Sequence, residues 1–264
     1  MTLFIYLIVF IFGLVVGSFL NSVIYRLNKG ESFLKGRSYC PSCRHQLAWR
    51  DLIPLLSFLT LGGKCRYCGK KISQQYPLVE LMTGILFVLI FLKFGFVLNF
   101  YSLPVTGYSL LITSLLIIIF ASDLETYIIP DGVVYSAIGL AIFYNLLYSL
   151  FIIQNSSFFI QAILSGLGAS AFFLAIFLIS KGRWLGFGDV KLAALMGLFL
   201  GFPEILVALF LAFLIGAIIG VGMISAGRKK LSSEIPFGPF LVTGTFLALF
   251  FGQSIIEWYM NFII

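Results

Sequence analysis

The chain has 264 residues, 61% of them hydrophobic and only 10% charged, with a mean hydropathy of +1.09. Soluble domains carry about 25% charged residues, so this composition excludes an ordinary soluble enzyme and makes a bilayer the solvent. The net charge of +7 raises nucleic acid as a partner, but basic residues also gather on the cytoplasmic loops of membrane proteins. No soluble segment interleaves basic and aromatic residues, so no nucleic-acid partner is expected.

The expected fold class is an all-α polytopic membrane protein of about eight transmembrane helices, with a small cytoplasmic four-cysteine loop domain. Apolar runs place the spans at 2–25, 77–98, 103–122, 132–153, 158–180, 188–202, 204–226 and 237–256, each near the ~20 residues that a crossing needs. The first run has no basic segment before it and no small-residue cleavage site, and it is too long for a signal peptide. The sixth run is the shortest. With the N-terminus outside, eight crossings put sixteen of the seventeen Lys and Arg residues on inner loops, as the positive-inside rule requires. Lys93 is the exception. If the sixth run did not cross, Arg228, Lys229 and Lys230 would face outward. Three segments follow: a first helix at 1–25, a cytoplasmic loop domain at 26–76 and a membrane-embedded domain at 77–264.

The loop domain holds all four cysteines, as Cys40-Pro41-Ser42-Cys43 and Cys65-Arg66-Tyr67-Cys68, with 21 residues between the pairs. Two C-x-x-C turns at this separation supply the four thiolates of a tetrahedral zinc site. The alternatives are two disulfides or a redox pair. A reducing cytoplasm disfavours the first, and no thioredoxin-like pattern supports the second. Four protein ligands leave no open position, so zinc here would be structural, clipping a loop too small to bury a core. His45, the one histidine, is read as a surface residue.

Few acidic residues are present, and four of them cluster at what this topology makes the cytoplasmic ends of spans. Three lie in Asp123-Leu124-Glu125-Thr126-Tyr127-Ile128-Ile129-Pro130-Asp131-Gly132, and the fourth in Gly186-Phe187-Gly188-Asp189-Val190-Lys191. Asp131 and Asp189 can be read as helix N-caps, and Asp123 and Glu125 as solvated loop charges. A carboxylate near hydrocarbon is costly unless paired or wetted, however, and the glycines before Asp189 let another backbone approach. Asp123 and Asp189 lie on different spans at one depth. Facing each other, they would share a proton, one acting as general base and the other as general acid.

In combination these motifs resemble the bacterial prepilin peptidases, also called type IV leader peptidases. The resemblance runs in order through Gly17-Ser18-Phe19-Leu20-Asn21-Ser22-Val23-Ile24-Tyr25-Arg26, the two cysteine pairs, Asp51-Leu52-Ile53-Pro54-Leu55-Leu56-Ser57 between them, and Pro77-Leu78-Val79-Glu80. It continues through the Asp123–Asp131 stretch and Gly186–Lys191 to Ile235-Pro236-Phe237-Gly238-Pro239. Asn28 departs from it where proline is common. The resemblance implies an aspartyl protease of the bacterial inner membrane, with its active site toward the cytoplasm. Its substrates would be type IV prepilins or pseudopilins, which lose a short basic leader. Catalysis would fall to Asp123 and Asp189, with Glu125, Pro130, Asp131, Gly186, Gly188 and Lys191 supporting. It further implies N-methylation of the new N-terminus from S-adenosylmethionine, an activity associated with the cysteine-bearing loop; no residue is assigned to that cofactor. Membrane lipid is a second expected partner. A transporter would require inverted repeats, and none is evident; an assembly scaffold would leave both aspartates dispensable.

Overall fold

The computed structural model describes residues 2–32, 36–95, 102–226 and 235–263. Among these, regular structure is helical, with two isolated antiparallel bridges, Tyr39 with Gln46 and Lys64 with Lys71. The chain forms two compact units, Met1–Ala121 and Ser122–Ile264.

The first unit contains α1 (Thr2–Lys29), the short α2 (Leu56–Thr60), α3 (Gln75–Phe94) and most of α4 (Ser102–Thr126). Lipid gives apolar side chains no reason to leave it, so helices associate in a membrane through close packing and polar links. Both are visible between α1 and α3. A Cβ added at Gly13 would stand 2.7 Å from Gly84 Cα, and one at Gly17 would stand 2.7 Å from Glu80 Cα. Asn21 Nδ2 donates to the Tyr76 carbonyl at 2.9 Å. The outer face of α1 leaves Leu7, Ile11, Val15 and Phe19 exposed for lipid. Arg26, counted above among the loop charges, is buried, and its guanidinium donates to the carbonyls of Ser32, Gly36 and Arg37. It therefore organises the chain leaving α1.

The second unit contains α5 (Asp131–Leu147), continued by a π-helical turn at Tyr148–Ile153, then α6 (Ser156–Ser180), α7 (Phe187–Leu200), α8 (Glu204–Ser225) and α9 (Gly238–Ile263). α7 packs against α6, α5 and α9. Its residues Leu192, Ala193, Leu195 and Met196 are fully buried. It approaches α6 so closely that a Cβ at Gly197 would lie 2.4 Å from the Ser165 carbonyl oxygen. Asn145 Nδ2 links α5 to α7 through the Leu198 carbonyl, at 3.0 Å.

Among the described residues seven helices are long and apolar enough to cross a membrane, at Leu3–Lys29, Gln75–Phe94, Ser102–Thr126, Asp131–Ile153, Ser156–Ser180, Glu204–Ser225 and Gly238–Phe262. The eighth apolar segment is α7. With 14 residues it reaches about 21 Å, short of the ~30 Å hydrocarbon layer. Protein surrounds it, so its length need not match the bilayer. Arg228, Lys229 and Lys230, on which its sidedness was argued, lie outside the described residues. A second difference bears on the site. α4 runs to Thr126 rather than ending at 122, because helical geometry persists for a further turn after the apolar run stops. Asp123 is consequently a buried helix residue, not a loop charge.

Candidate active site and metal centre

Asp123 occupies the last turn of α4. Its own carbonyl accepts the Tyr127 N–H at 2.9 Å, and Tyr127 ends the helix in the left-handed region at φ 59°. The Asp123 side chain is only 4% exposed. Its Oδ2 accepts the backbone N–H of Gly238, the first residue of α9, at 3.0 Å. Asp189 is third in α7 and 6% exposed. Its Oδ2 accepts the Gly186 N–H at 3.1 Å, while its own N–H donates to the Gly186 carbonyl. Asp189 is therefore not the N-cap, which is Gly186; it sits three residues in and its carboxylate reaches back to the N-cap amide, which occupies one oxygen. Each carboxylate is thus held through Oδ2 by a glycine amide at a helix start, where the amides and the macrodipole favour negative charge.

Both aspartates belong to the second unit. Ile129 connects the two settings. It is buried in the turn between α4 and α5. A Cβ at Gly188 would meet its Cβ at 3.0 Å, and one at Gly238 would meet its Cδ1 at 3.3 Å. Nothing in the sequence singled out Ile129 or gave Gly238 a role. An isoleucine in an apolar run has no distinguishing chemistry, and an amide donor is common to every residue but proline.

The remaining acidic neighbours differ. Pro130 precedes α5 as its N-cap, so Asp131 is the first helical residue and not the cap. Asp131 is exposed and pairs with the Lys191 ammonium, which also sits 5.3 Å from the Tyr135 ring centroid and 5.4 Å from that of Phe187. Glu125 is exposed at the end of α4. An apolar groove of about 880 Å³ between α6 and α8, lined by Leu164, Phe172 and Phe210, includes neither aspartate.

In the first unit the two cysteine turns repeat one hydrogen-bond pattern. Cys40 accepts from Arg44 N–H at 2.8 Å and Cys65 from Gly69 N–H at 2.9 Å; Cys40 N–H donates to His45 and Cys65 N–H to Lys70. Residues Arg44 and Gly69 both take positive φ, 57° and 69°. Glycine takes this conformation without steric cost, whereas a residue with a Cβ such as Arg44 does not. All four sulfurs lie within 4.8 Å of one another. A tetrahedral site with bonds of about 2.3 Å needs sulfurs about 3.8 Å apart, and Cys40 Sγ and Cys68 Sγ are 4.0 Å apart. The cluster can therefore hold a metal ion. Its acidity is unevenly shared. Burial works against the Cys40 thiolate, but the amides of Cys43 and Ser42 and the adjacent thiols outweigh it and hold the thiol near about 7. The Lys70 amide favours the Cys68 thiolate, but burial and the three other sulfurs push that thiol up to about 11. A divalent cation is what lets all four ionise together. The His45 ring stacks on Tyr67, with centroids 3.7 Å apart, outside the sulfur cluster.

Two acids brace this loop. Asp51 accepts from Arg66 Nε at 2.7 Å, the Tyr67 hydroxyl at 3.0 Å and the Ala48 N–H at 3.1 Å. Both side-chain donors lie inside the second cysteine turn. Burial alone would raise the Asp51 carboxyl, but these donors hold it below its ordinary value. Glu80, buried in α3, accepts the N–H of Leu55 at 2.8 Å, and Leu55 has a positive φ of 58°. The quoted Asp51–Ser57 and Pro77–Glu80 motifs are therefore joined by a bond that sequence separation concealed.

A family model described as the type IV leader peptidase family matches residues 110–221, and one described as the bacterial peptidase A24 N-terminal domain matches residues 11–94. A prepilin leader peptidase/N-methyltransferase of Bacillus subtilis is 35% identical, over 96% of this chain and 97% of its own. The protein of that name from Klebsiella pneumoniae is 38% identical over 77% and 88%, and that from Pseudomonas aeruginosa 31% identical over 95% and 91%. No solved structure matches.

Proposed function

Since the chain belongs to the type IV leader peptidase family, we propose that it removes the basic leader of type IV prepilins or pseudopilins, with Asp123 and Asp189 as its catalytic pair. The carrying observation is the pair of buried carboxylates, each held by one glycine amide through Oδ2. Among the described residues neither Oδ1 has a protein partner, which leaves those oxygens for water and a proton. The ionised member takes a proton from water as that water attacks the scissile carbonyl. The protonated member donates to the carbonyl oxygen, and the proton gained is then passed to the departing amine. No covalent enzyme intermediate is needed.

The site faces the cytoplasm at the bacterial inner membrane, where a prepilin's leader meets its apolar helix. Steering the basic leader is not simple, because 26–76 carries ten Lys and Arg residues against Glu31 and Asp51. Glu31 already accepts from Tyr39, and Asp51 is engaged by Arg66. Asp131 is likewise paired, with Lys191, so attraction falls to anionic lipid and to docking of the substrate's apolar helix. The metal of the sulfur cluster is zinc, in a structural role. The relatives' names also support methylation of the new N-terminus, with S-adenosylmethionine supplying an electrophilic methyl group. Mass analysis of the processed pilin reads that directly.

Cleavage of a co-expressed prepilin tests the dyad. Asp123→Asn and Asp189→Asn should each lower the rate by roughly 10²–10⁴-fold, the ordinary contribution of acid–base catalysis, in protein that still folds and inserts. Near-wild-type cleavage in either variant rejects the assignment.

A further inference from the structure

Gly238 meets Asp123 in two ways at once. Its N–H donates to Asp123 Oδ2 at 3.0 Å. A Cβ added to it would stand 2.6 Å from that same oxygen, 3.1 Å from Cγ and 3.3 Å from Ile129 Cδ1. The first contact holds the carboxylate, and the second shows that the carboxylate uses the room a side chain would fill. Pro239 follows and has no N–H to offer, and the next amides, of Phe240 and Leu241, donate to the Phe237 carbonyl. A Cβ added at Gly238 would press on Ile129, as would one at Gly188, the residue before Asp189, so a side chain at Gly238 bears on the residue that packs beside both aspartates.

We propose that Gly238 is a positioning residue for peptide-bond hydrolysis, fixing the Asp123 carboxylate by its amide and by its lack of a side chain; this rests on Asp123 being catalytic. Gly238 acts on the reacting groups only through Asp123. Its substitution should therefore change the chemical step and leave substrate docking alone, since a misplacement of about 1 Å can cost about 100-fold in rate.

The test is steady-state cleavage of a purified prepilin by full-length, detergent-solubilised Gly238→Ala, with Gly139→Ala as reference. Gly139 lies in α5 with nothing within 4 Å of an added Cβ. The expected result is a fall in kcat of about 10–100-fold with KM within twofold, while Gly139→Ala keeps both. A rise in KM with kcat preserved, or wild-type kcat, overturns the proposal. A second measurement does not need activity. The thermal unfolding loss caused by Gly238→Ala should shrink when it is made in an Asp123→Ala background, because the clashing carboxylate is gone and only the contact with Ile129 remains. An equal loss in both backgrounds shows that Gly238 does not act through Asp123. Wild-type kcat in Gly238→Ala beside an inactive Asp123→Asn overturns the positioning role alone, whereas an active Asp123→Asn overturns the dyad with it.

Discussion

Lys191 carries its charge two residues beyond Asp189, yet its ammonium is engaged elsewhere. It pairs with Asp131 and lies against the rings of Tyr135 and Phe187. A partly covered cation gains from an aromatic face as well as from an anion, so losing Asp131 alone should not release it. Asp131 is itself 65% exposed at the side chain, and an exposed ion pair contributes little. Asp131→Asn should therefore keep cleavage within about tenfold of wild type, against the collapse expected for Asp123→Asn. A deeper loss, measured in the same prepilin assay, would mean that Asp131 takes part in the chemistry.

At the scale of elements, two devices hold the described parts in place. In the cysteine loop, Asp51 ties Trp49–Leu52 to the second cysteine turn through Arg66 and Tyr67. Groups that orient metal ligands typically change metal affinity by about 10–100-fold when removed. Asp51→Asn should thus weaken zinc retention about tenfold in a chelator competition, and Cys40→Ser should abolish it; undiminished retention in Cys40→Ser would rule out a four-thiolate site. The Asp51 carboxyl lies below its ordinary value in the fold. Its contribution is complete above the unfolded value of about 3.9 and is lost as pH falls through the lower folded one. Between α6 and α7 the device is backbone proximity. A Cβ at Gly166 would lie 2.9 Å from Leu198 Cγ and 3.1 Å from the Ala194 carbonyl oxygen, whereas one at Gly168 meets nothing within 4 Å. Gly166→Ala should cost about 1–3 kcal/mol through overpacking and reduce cleavage, because α7 carries Asp189. Gly168→Ala should be silent in both thermal unfolding and activity.

For the whole molecule, the testable quantity is sidedness. With the N-terminus outside, Arg183 in the turn between α6 and α7 faces the cytoplasm and Asn155 before α6 faces outward. Single cysteines placed at these positions should label from opposite sides with an impermeant maleimide, Asn155→Cys in intact cells and Arg183→Cys only after the membrane is opened. Both positions are exposed, so silence cannot be ascribed to burial. Labelling of Arg183→Cys but not Asn155→Cys in intact cells would reverse the topology and with it the cytoplasmic cleavage site.

The sequence by itself determined the solvent of this protein, because 61% hydrophobic residues admit no other one. It also determined the metal-binding capacity, because paired C-x-x-C turns specify their geometry locally. The two candidate aspartates were legible for a related reason: charge is so rare in these helices that each instance requires an explanation. Only the tertiary structure decided that Asp123 is inside a helix and covered, since an apolar run ends where side chains turn polar, not where backbone hydrogen bonding stops. It alone decided that α7 is walled by protein, that Arg26 is buried among carbonyls, and that Glu80 holds Leu55. It alone placed Gly238, 115 residues along the chain, against Asp123. Those contacts run through backbone amides and carbonyls, which every residue but proline carries alike, so residue types do not show which of them will meet.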